Sequence, residues 1–233
     1  MQCTRRAVLR GMVFGALSVG LARFVHAGTD TARFRILHAA PSLGAAVDVY
    51  GNRVRVAQSL DYGAFSRLWA VPAESILIRV FAPGANPDTD APLGFGDVPL
   101  TLGRSHTIVI TEEGSSVRIL VFPELDPPPR GQIALRVAHV APGAPTLDLV
   151  RADSGSVLLS GIPFGEGRAG TFAPGLYTLV LRESGTANDL LNLGTFRFRA
   201  GARRTFYVLR TLPSAAARDV AGQRQYSAVS TRE

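Results

Sequence analysis

The chain repeats itself at a spacing close to one hundred residues, and no other feature limits its architecture as much. RILHAAP, Arg35 to Pro41, returns as RVAHVAP, Arg136 to Pro142, at a constant offset of 101. Asp48, inside Val47-Asp48-Val49, returns at an offset of 100 as Asp148, inside Leu147-Asp148-Leu149. Tyr62-Gly63 then corresponds to Phe164-Gly165, VPAESILIRV (71–80) to FAPGLYTLVL (172–181), and LGRSHTIVIT (102–111) to AGARRTFYVLR (200–210). Five landmarks in one order indicate a tandem duplication of a single domain. The copies span 33–122 and 133–212, and PELDPPPRGQ (123–132) joins them. Three consecutive prolines favour an extended, semi-rigid linker. Residues 213–233 carry few large apolar side chains and no clear period, which predicts a disordered or loosely attached tail.

Within each copy the apolar runs are short and bounded by turn residues. RFRILHA, AVDVY, RLWAV, SILIRVF, HTIVIT and SVRILVF read as strands, and TEEGSSV reads as a hairpin connection with Gly114 supplying a positive φ. Nothing from 33 to 212 sustains a helical period. The expected fold is all-β: two tandem antiparallel immunoglobulin-like β-sandwich domains.

The assembled landmarks, R-x-x-H-x-x-P, then a V-D-V or L-D-L strand, then Y/F-G, then P-A/G-x-Y/I-x-L/V, resemble the bacterial domain-of-unknown-function family 4397. The resemblance runs from about Arg33 to Leu212. It implies exported β-sandwich units, commonly in tandem, and it implies no reaction. Copy one departs from the family pattern at Glu74-Ser75, where copy two keeps the glycine turn as Pro174-Gly175. Copy two departs at Gly167-Arg168, which leaves its middle strand less defined.

Residues 1–27 read as an export signal: a basic start through Arg10, an apolar stretch from Gly11 to Ala22, and Val25-His26-Ala27 before the cleavage point. The apolar stretch is too short to span a bilayer, which takes about 20 residues. Thr4-Arg5-Arg6-Ala7-Val8-Leu9-Arg10 resembles a twin-arginine signal, with Val8 and Arg10 as its departures. The expected location is therefore periplasmic, cell-surface or extracellular, with no transmembrane span in the mature chain.

All 25 basic residues are arginine, and without the leader 21 arginines face 18 acidic residues, a net of +3. So small a charge, spread along the chain, argues against nucleic acid as a partner. The single cysteine, Cys3, lies in the leader, so the mature chain has no disulfide, thiol nucleophile or thiolate metal ligand.

The repeated pairs His38/Asp48 and His139/Asp148 are the foremost site candidates. One reading is a carboxylate-oriented base or a pair of metal ligands, giving a His/Asp-dependent (metallo)hydrolase. The other is a buried histidine pinning the turn at Pro41 or Pro142, with its aspartate as hydrogen-bond partner. The second is preferred, because no G-x-S-x-G elbow accompanies the pairs and a zinc site needs three or four ligands. Asn86, Asp88 and Asp90 alternate as in a calcium loop but lack an EF-hand's glycine and terminal glutamate. Tyr50, Tyr62 and Trp69, with Phe65, are candidates for a sugar-stacking surface or for core. Arg197, Arg199, Arg203 and Arg204 form the one dense basic group, suited to an anionic polymer, to a membrane surface or to a guarded sheet edge. No cofactor or metal is expected. The reading is a non-enzymatic binding or structural module with an envelope or extracellular protein or polysaccharide as partner; the alternatives are a carbohydrate-binding or adhesion module and the hydrolase.

Overall fold

The computed structural model describes residues 31–212 and 226–233. The expected export signal, 1–27, lies outside the described residues, as does 213–225 of the tail. The first copy contributes β1 (Ala32–His38), β2 (Ala46–Gly51), β3 (Val54–Asp61), β4 (Trp69–Val71), β5 (Ser75–Phe81), β6 (Gly94–Pro99), β7 (Ser105–Glu113) and β8 (Ser116–Pro123). The second contributes β9 (Ile133–His139), β10 (Leu147–Arg151), β11 (Ser156–Ile162), β12 (Gly167–Phe172), β13 (Gly175–Glu183), β14 (Asp189–Phe198), β15 (Arg203–Arg210) and β16 (Tyr226–Arg232). Apart from a 3-10 turn at Pro41–Leu43, the ordered elements are strands.

The two copies share one topology. Copy one forms sheets of order β4-β1-β7-β8 and β3-β2-β5-β6. Copy two forms β12-β9-β15-β16 and β11-β10-β13-β14, the same orders with every strand advanced by eight. The all-β tandem sandwich expected from the sequence is present, with a more specific strand order. β1 runs parallel to β7, and β9 parallel to β15, inside otherwise antiparallel sheets. An immunoglobulin constant domain instead places its first strand beside its second.

Residues 226–232 depart from the expected tail. Rather than lying loose, they are β16, paired along their length with β15 from Arg210↔Tyr226 to Arg204↔Arg232. β16 is the eighth strand of the second sandwich and the counterpart of β8. Its alternation is shallow (Tyr226, Ala228 and Val229 are half-buried), which hides it in the sequence.

Alternation along the strands then assigns three cores. Phe34, Ile36, Ile108 and Ile110 face β2 and β5 inside the first sandwich. Leu135, Val137, Phe206 and Val208 do the same in the second. The opposite faces of those strands are apolar as well: Leu37, Ala39, Val109, Phe122, Ala138, Val140, Tyr207 and Leu209 form a third core between the two sandwiches. β9 is consequently buried at all seven positions, as expected for a strand covered on both faces. Leu37 and Ala138 are repeat equivalents, as are Ala39 and Val140, and Val109 and Tyr207, so like faces meet in the manner of a two-fold interface. Across the seam the Thr111 hydroxyl donates to the Val140 carbonyl at 2.9 Å, and the Tyr62 hydroxyl donates to the Arg210 carbonyl.

The linker is fastened to the same interface. Arg136 donates to the Pro123 carbonyl and Arg203 to the Leu125 carbonyl, each at 2.6 Å. The buried Glu233 carboxylate accepts from the Thr205 hydroxyl at 2.7 Å and from the Leu125 backbone N–H. Truncation after Pro213 removes β16 and Glu233 together, so it is expected to lower the thermal midpoint of the whole protein by circular dichroism. An unchanged midpoint would show β16 to be dispensable.

Candidate functional site

The repeated polar residues assemble at the same place in each sandwich, and each has a backbone partner. His38 ends β1 fully buried. Its Nδ1 accepts the Ala40 N–H at 3.4 Å, and its Nε2 faces the Gly44 carbonyl at 3.3 Å. A backbone N–H only donates and a carbonyl only accepts, so the proton sits on Nε2 and the ring is neutral. His139 repeats this with the Ala141 N–H at 3.4 Å and the Pro145 carbonyl at 3.0 Å. In both copies the ring clamps the proline-containing turn that leaves the strand.

The Y/F-G landmark closes the same corner. Tyr62 meets the His38 ring edge-on at 5.4 Å, and Phe164 meets His139 at 6.0 Å. The following glycines, at φ 76 for Gly63 and φ 86 for Gly165, turn their N–H groups onto the His38 and His139 carbonyls at 2.8 Å. A side chain at this left-handed φ would be strained, which accounts for glycine in both copies.

The expected His–Asp pair is not made; each residue is satisfied separately. The Asp48 carboxylate accepts the Ser59 N–H at 2.6 Å and the Gly84 N–H at 3.1 Å, with Arg55 no closer than 3.9 Å. Asp148 accepts the Gly161 N–H at 2.7 Å. Ser59 and Gly161 both have positive φ, 44 and 64, at the point where β3 and β11 shift register against β2 and β10. The V-D-V/L-D-L aspartate therefore holds a β-bulge in the neighbouring strand. Sequence reasoning missed this partner, since a backbone N–H has no residue signature; the available signal was a bulge-forming residue eleven to thirteen positions later.

Burial holds all three buried histidines below their usual pKa, the main cause being loss of hydration for the charged ring. His106 has the opposite tautomer, with Nε2 accepting the Thr101 N–H and Nδ1 facing the Arg33 carbonyl, both at 3.2 Å.

The remaining candidates lie apart. Asn86, Asp88 and Asp90 are exposed, and the loop uses its own oxygens: Asn86 accepts the Asp88 N–H and Asp90 accepts the Asn86 N–H. Among the described residues, no three His, Cys, Asp or Glu side chains gather to hold a metal. The aromatic candidates do not share a surface. Tyr50 is buried edge-on against Phe81, Tyr62 closes the histidine corner, and Trp69 donates its indole N–H to the Val56 carbonyl at 2.7 Å. Arg67 covers the Trp69 ring at 3.6 Å, beside a cleft of about 450 Å³ lined also by Arg55, Gln58 and Ser66. The arginine group lies along a larger cleft of about 750 Å³ in the second sandwich, where β16 adds Arg232.

A family model, "Domain of unknown function (DUF4397)", matches residues 32–150, just over half of the chain. The chain belongs to the DUF4397 family. The matched segment contains the first sandwich, the linker, β9 and all of β10 but its last residue, so it includes both clamp histidines and both bulge aspartates, while Phe164 and Gly165 lie beyond it. No curated protein matches the DUF4397 chain significantly. Among solved structures it is similar to the C-terminal domain of AlgF from P. aeruginosa, at 14% identity over 45% of this chain and 100% of that one, TM-score 0.34. It is also similar to a streptococcal virulence factor described as binding alpha-glucan, at 9% identity over 76% and 92% of the chains, TM-score 0.28. The Bacillus anthracis TIE protein matches at 10% identity over 76% and 33%, TM-score 0.23. Likenesses this distant carry no argument about function.

Removing the bulge clamps is expected to cost stability. Asp48→Asn and Asp148→Asn should each destabilise by ~1–3 kcal/mol in denaturant titration, since a charged acceptor for a buried N–H is lost. Ser59→Gly should stabilise by ~1 kcal/mol by relieving the left-handed φ. If Asp48→Asn left stability unchanged, the clamp would have no structural role. The histidines add a pH dependence. Their folded pKa values lie below the unfolded value near 6.5, so the unfolded chain takes up protons first as pH falls. Stability should hold above pH ~6.5 and decline below it, read as the urea midpoint between pH 8 and 5.

Proposed function

We propose that this DUF4397 chain is an exported, non-catalytic binding or structural module of the bacterial cell envelope or exterior. The observation that carries the reading is that the histidines and aspartates common to both copies are occupied by backbone groups. His38 and His139 have both ring nitrogens engaged, and Asp48 and Asp148 hold bulge amides. A general base needs a nitrogen free to face a substrate, and a metal ligand needs its lone pair. The duplicated landmarks serve the fold, and ligand recognition falls to surfaces that differ between the copies.

Export rests on the leader, with its twin-arginine-like Arg5-Arg6 pair and short apolar stretch. Among the described residues no helix is long and apolar enough to cross a membrane. The partner is an envelope or extracellular polymer or protein.

Incubating the purified protein with isolated envelope polysaccharide tests the reading. The protein should sediment with the polymer and release no soluble fragments, and His38→Gln or His139→Gln should change only stability. Release of fragments that is abolished by His38→Gln or His139→Gln in folded protein would establish the hydrolase instead.

A further inference from the structure

The second sandwich carries an arginine-lined cleft at positions where the first sandwich has no arginine. It lies at the open side of the sandwich, where the edge strands β14 and β16 approach each other. Phe196, Arg197, Arg199, Arg203, Arg204 and Arg232 line it, around a volume of about 750 Å³. Arg204 and Arg232 are direct cross-strand partners. Like charges in that register are destabilising, so this pair works against the fold. Burial, and then the neighbouring Arg232, push the Arg204 pKa down, which is the electrostatic sign of that conflict. Among the described residues none of these five arginines has a carboxylate within ion-pairing distance. Glu233 also lines the cleft, but its carboxylate is buried and engaged by Arg136 and Thr205.

The duplication supplies an internal control. The shared register places Pro99, Thr101, Ser105, His106 and Pro123 of the first copy where the second has Arg197, Arg199, Arg203, Arg204 and Arg232. Nothing in the common fold calls for arginine at those positions. The first copy closes this corner with His106, buried and hydrogen-bonded through both nitrogens. Further along its β6–β8 seam Gly94 lies against Val117 so closely that a Cβ would approach to 2.4 Å. The corresponding part of the second copy's seam is an uncharged recess, and Phe196 lines both that recess and the arginine cleft.

The lining alternates two chemistries. Arg204 stacks on Phe196 at 4.8 Å, and a smaller recess of about 110 Å³ continues along the seam past Leu193 and Phe206. Guanidinium forks suit carboxylates, and the apolar recess beside them, lined by Leu191, Leu193 and Phe206, suits the C–H face of a sugar ring. A ligand that presents both is a chain of acidic sugars. A bare polyanion would leave the apolar recess unused, and a bilayer surface does not enter a recessed seam.

We propose that the β14–β16 cleft binds an acidic, carboxylate-bearing oligosaccharide. The proposal deepens the binding-module reading and rests on it. Oligogalacturonate binding to the full chain, followed by calorimetry at low and high salt, tests it. Binding should occur, weaken as salt rises, and fall about tenfold or more in Arg197→Glu/Arg199→Glu, whose side chains are exposed. The same double charge reversal at the exposed Arg33 and Arg53, which line neither cleft, should leave affinity unchanged, and a neutral glucan of equal length should not bind. Equal binding of inorganic polyphosphate would overturn the assignment to sugar chains. Undiminished oligogalacturonate binding in Arg197→Glu/Arg199→Glu would overturn the site while leaving the module reading intact. No oligogalacturonate binding by the wild type would overturn the proposal, and the module reading would still stand or fall by polymer sedimentation.

Discussion

The apolar seam between the two sandwiches is the contact on which the rest of the structure depends. A sandwich needs one buried face per sheet, yet β1, β7, β9 and β15 bury both. The outward face of each inner sheet is satisfied only by the other copy. Tyr207 illustrates the consequence: it is fully buried, edge-on to Phe65 at 5.7 Å and to Phe122 at 5.9 Å, in a position the second sandwich alone would leave wet. Exposing such a face would present a contiguous apolar patch, which soluble monomers rarely tolerate. The duplication is thus a folding requirement as much as a doubling of surface.

That constraint explains the repeated arginine, which otherwise has no partner in the histidine corner. Arg35 and Arg136 alternate with the inward residues of their strands and point to the seam. Arg35 donates to the Thr107 hydroxyl at 3.0 Å and lies over Phe65, while Arg136 lies over Phe122 and reaches Pro123 and Glu233. Thr107 and Thr205 are repeat equivalents, so an arginine–threonine edge borders the seam on both sides. Every landmark thus acts locally in the fold. The arginine borders the seam, the histidine clamps a turn, the aspartate holds a bulge, and the glycine makes a left-handed bend.

Much of this was legible because it is local. Short apolar runs gave the strands, Gly114 gave the β7–β8 hairpin, and the offset near one hundred gave the two copies. What escaped depends on pairing at long range. The parallel β1–β7 contact joins residues about seventy apart. β16 escaped because its residues are mostly small or polar and only half-buried, and because fifteen residues separate it from β15 where two separate β8 from β7. The arginine cleft was half visible as Arg197 to Arg204; Arg232 joins it only through the β15–β16 register. The aspartate's role escaped because its partner is main chain.

A division of labour follows, in which shared residues build the stack and unshared residues differentiate its outer edges. Hydrogen exchange of the intact protein tests the stack directly. Amides of β1, β7, β9 and β15 should be the slowest in the molecule and should open together, with one free energy for both copies. If the copies instead opened independently, with β1 and β7 less protected than β2 and β5, the seam would be an incidental contact between two self-sufficient domains.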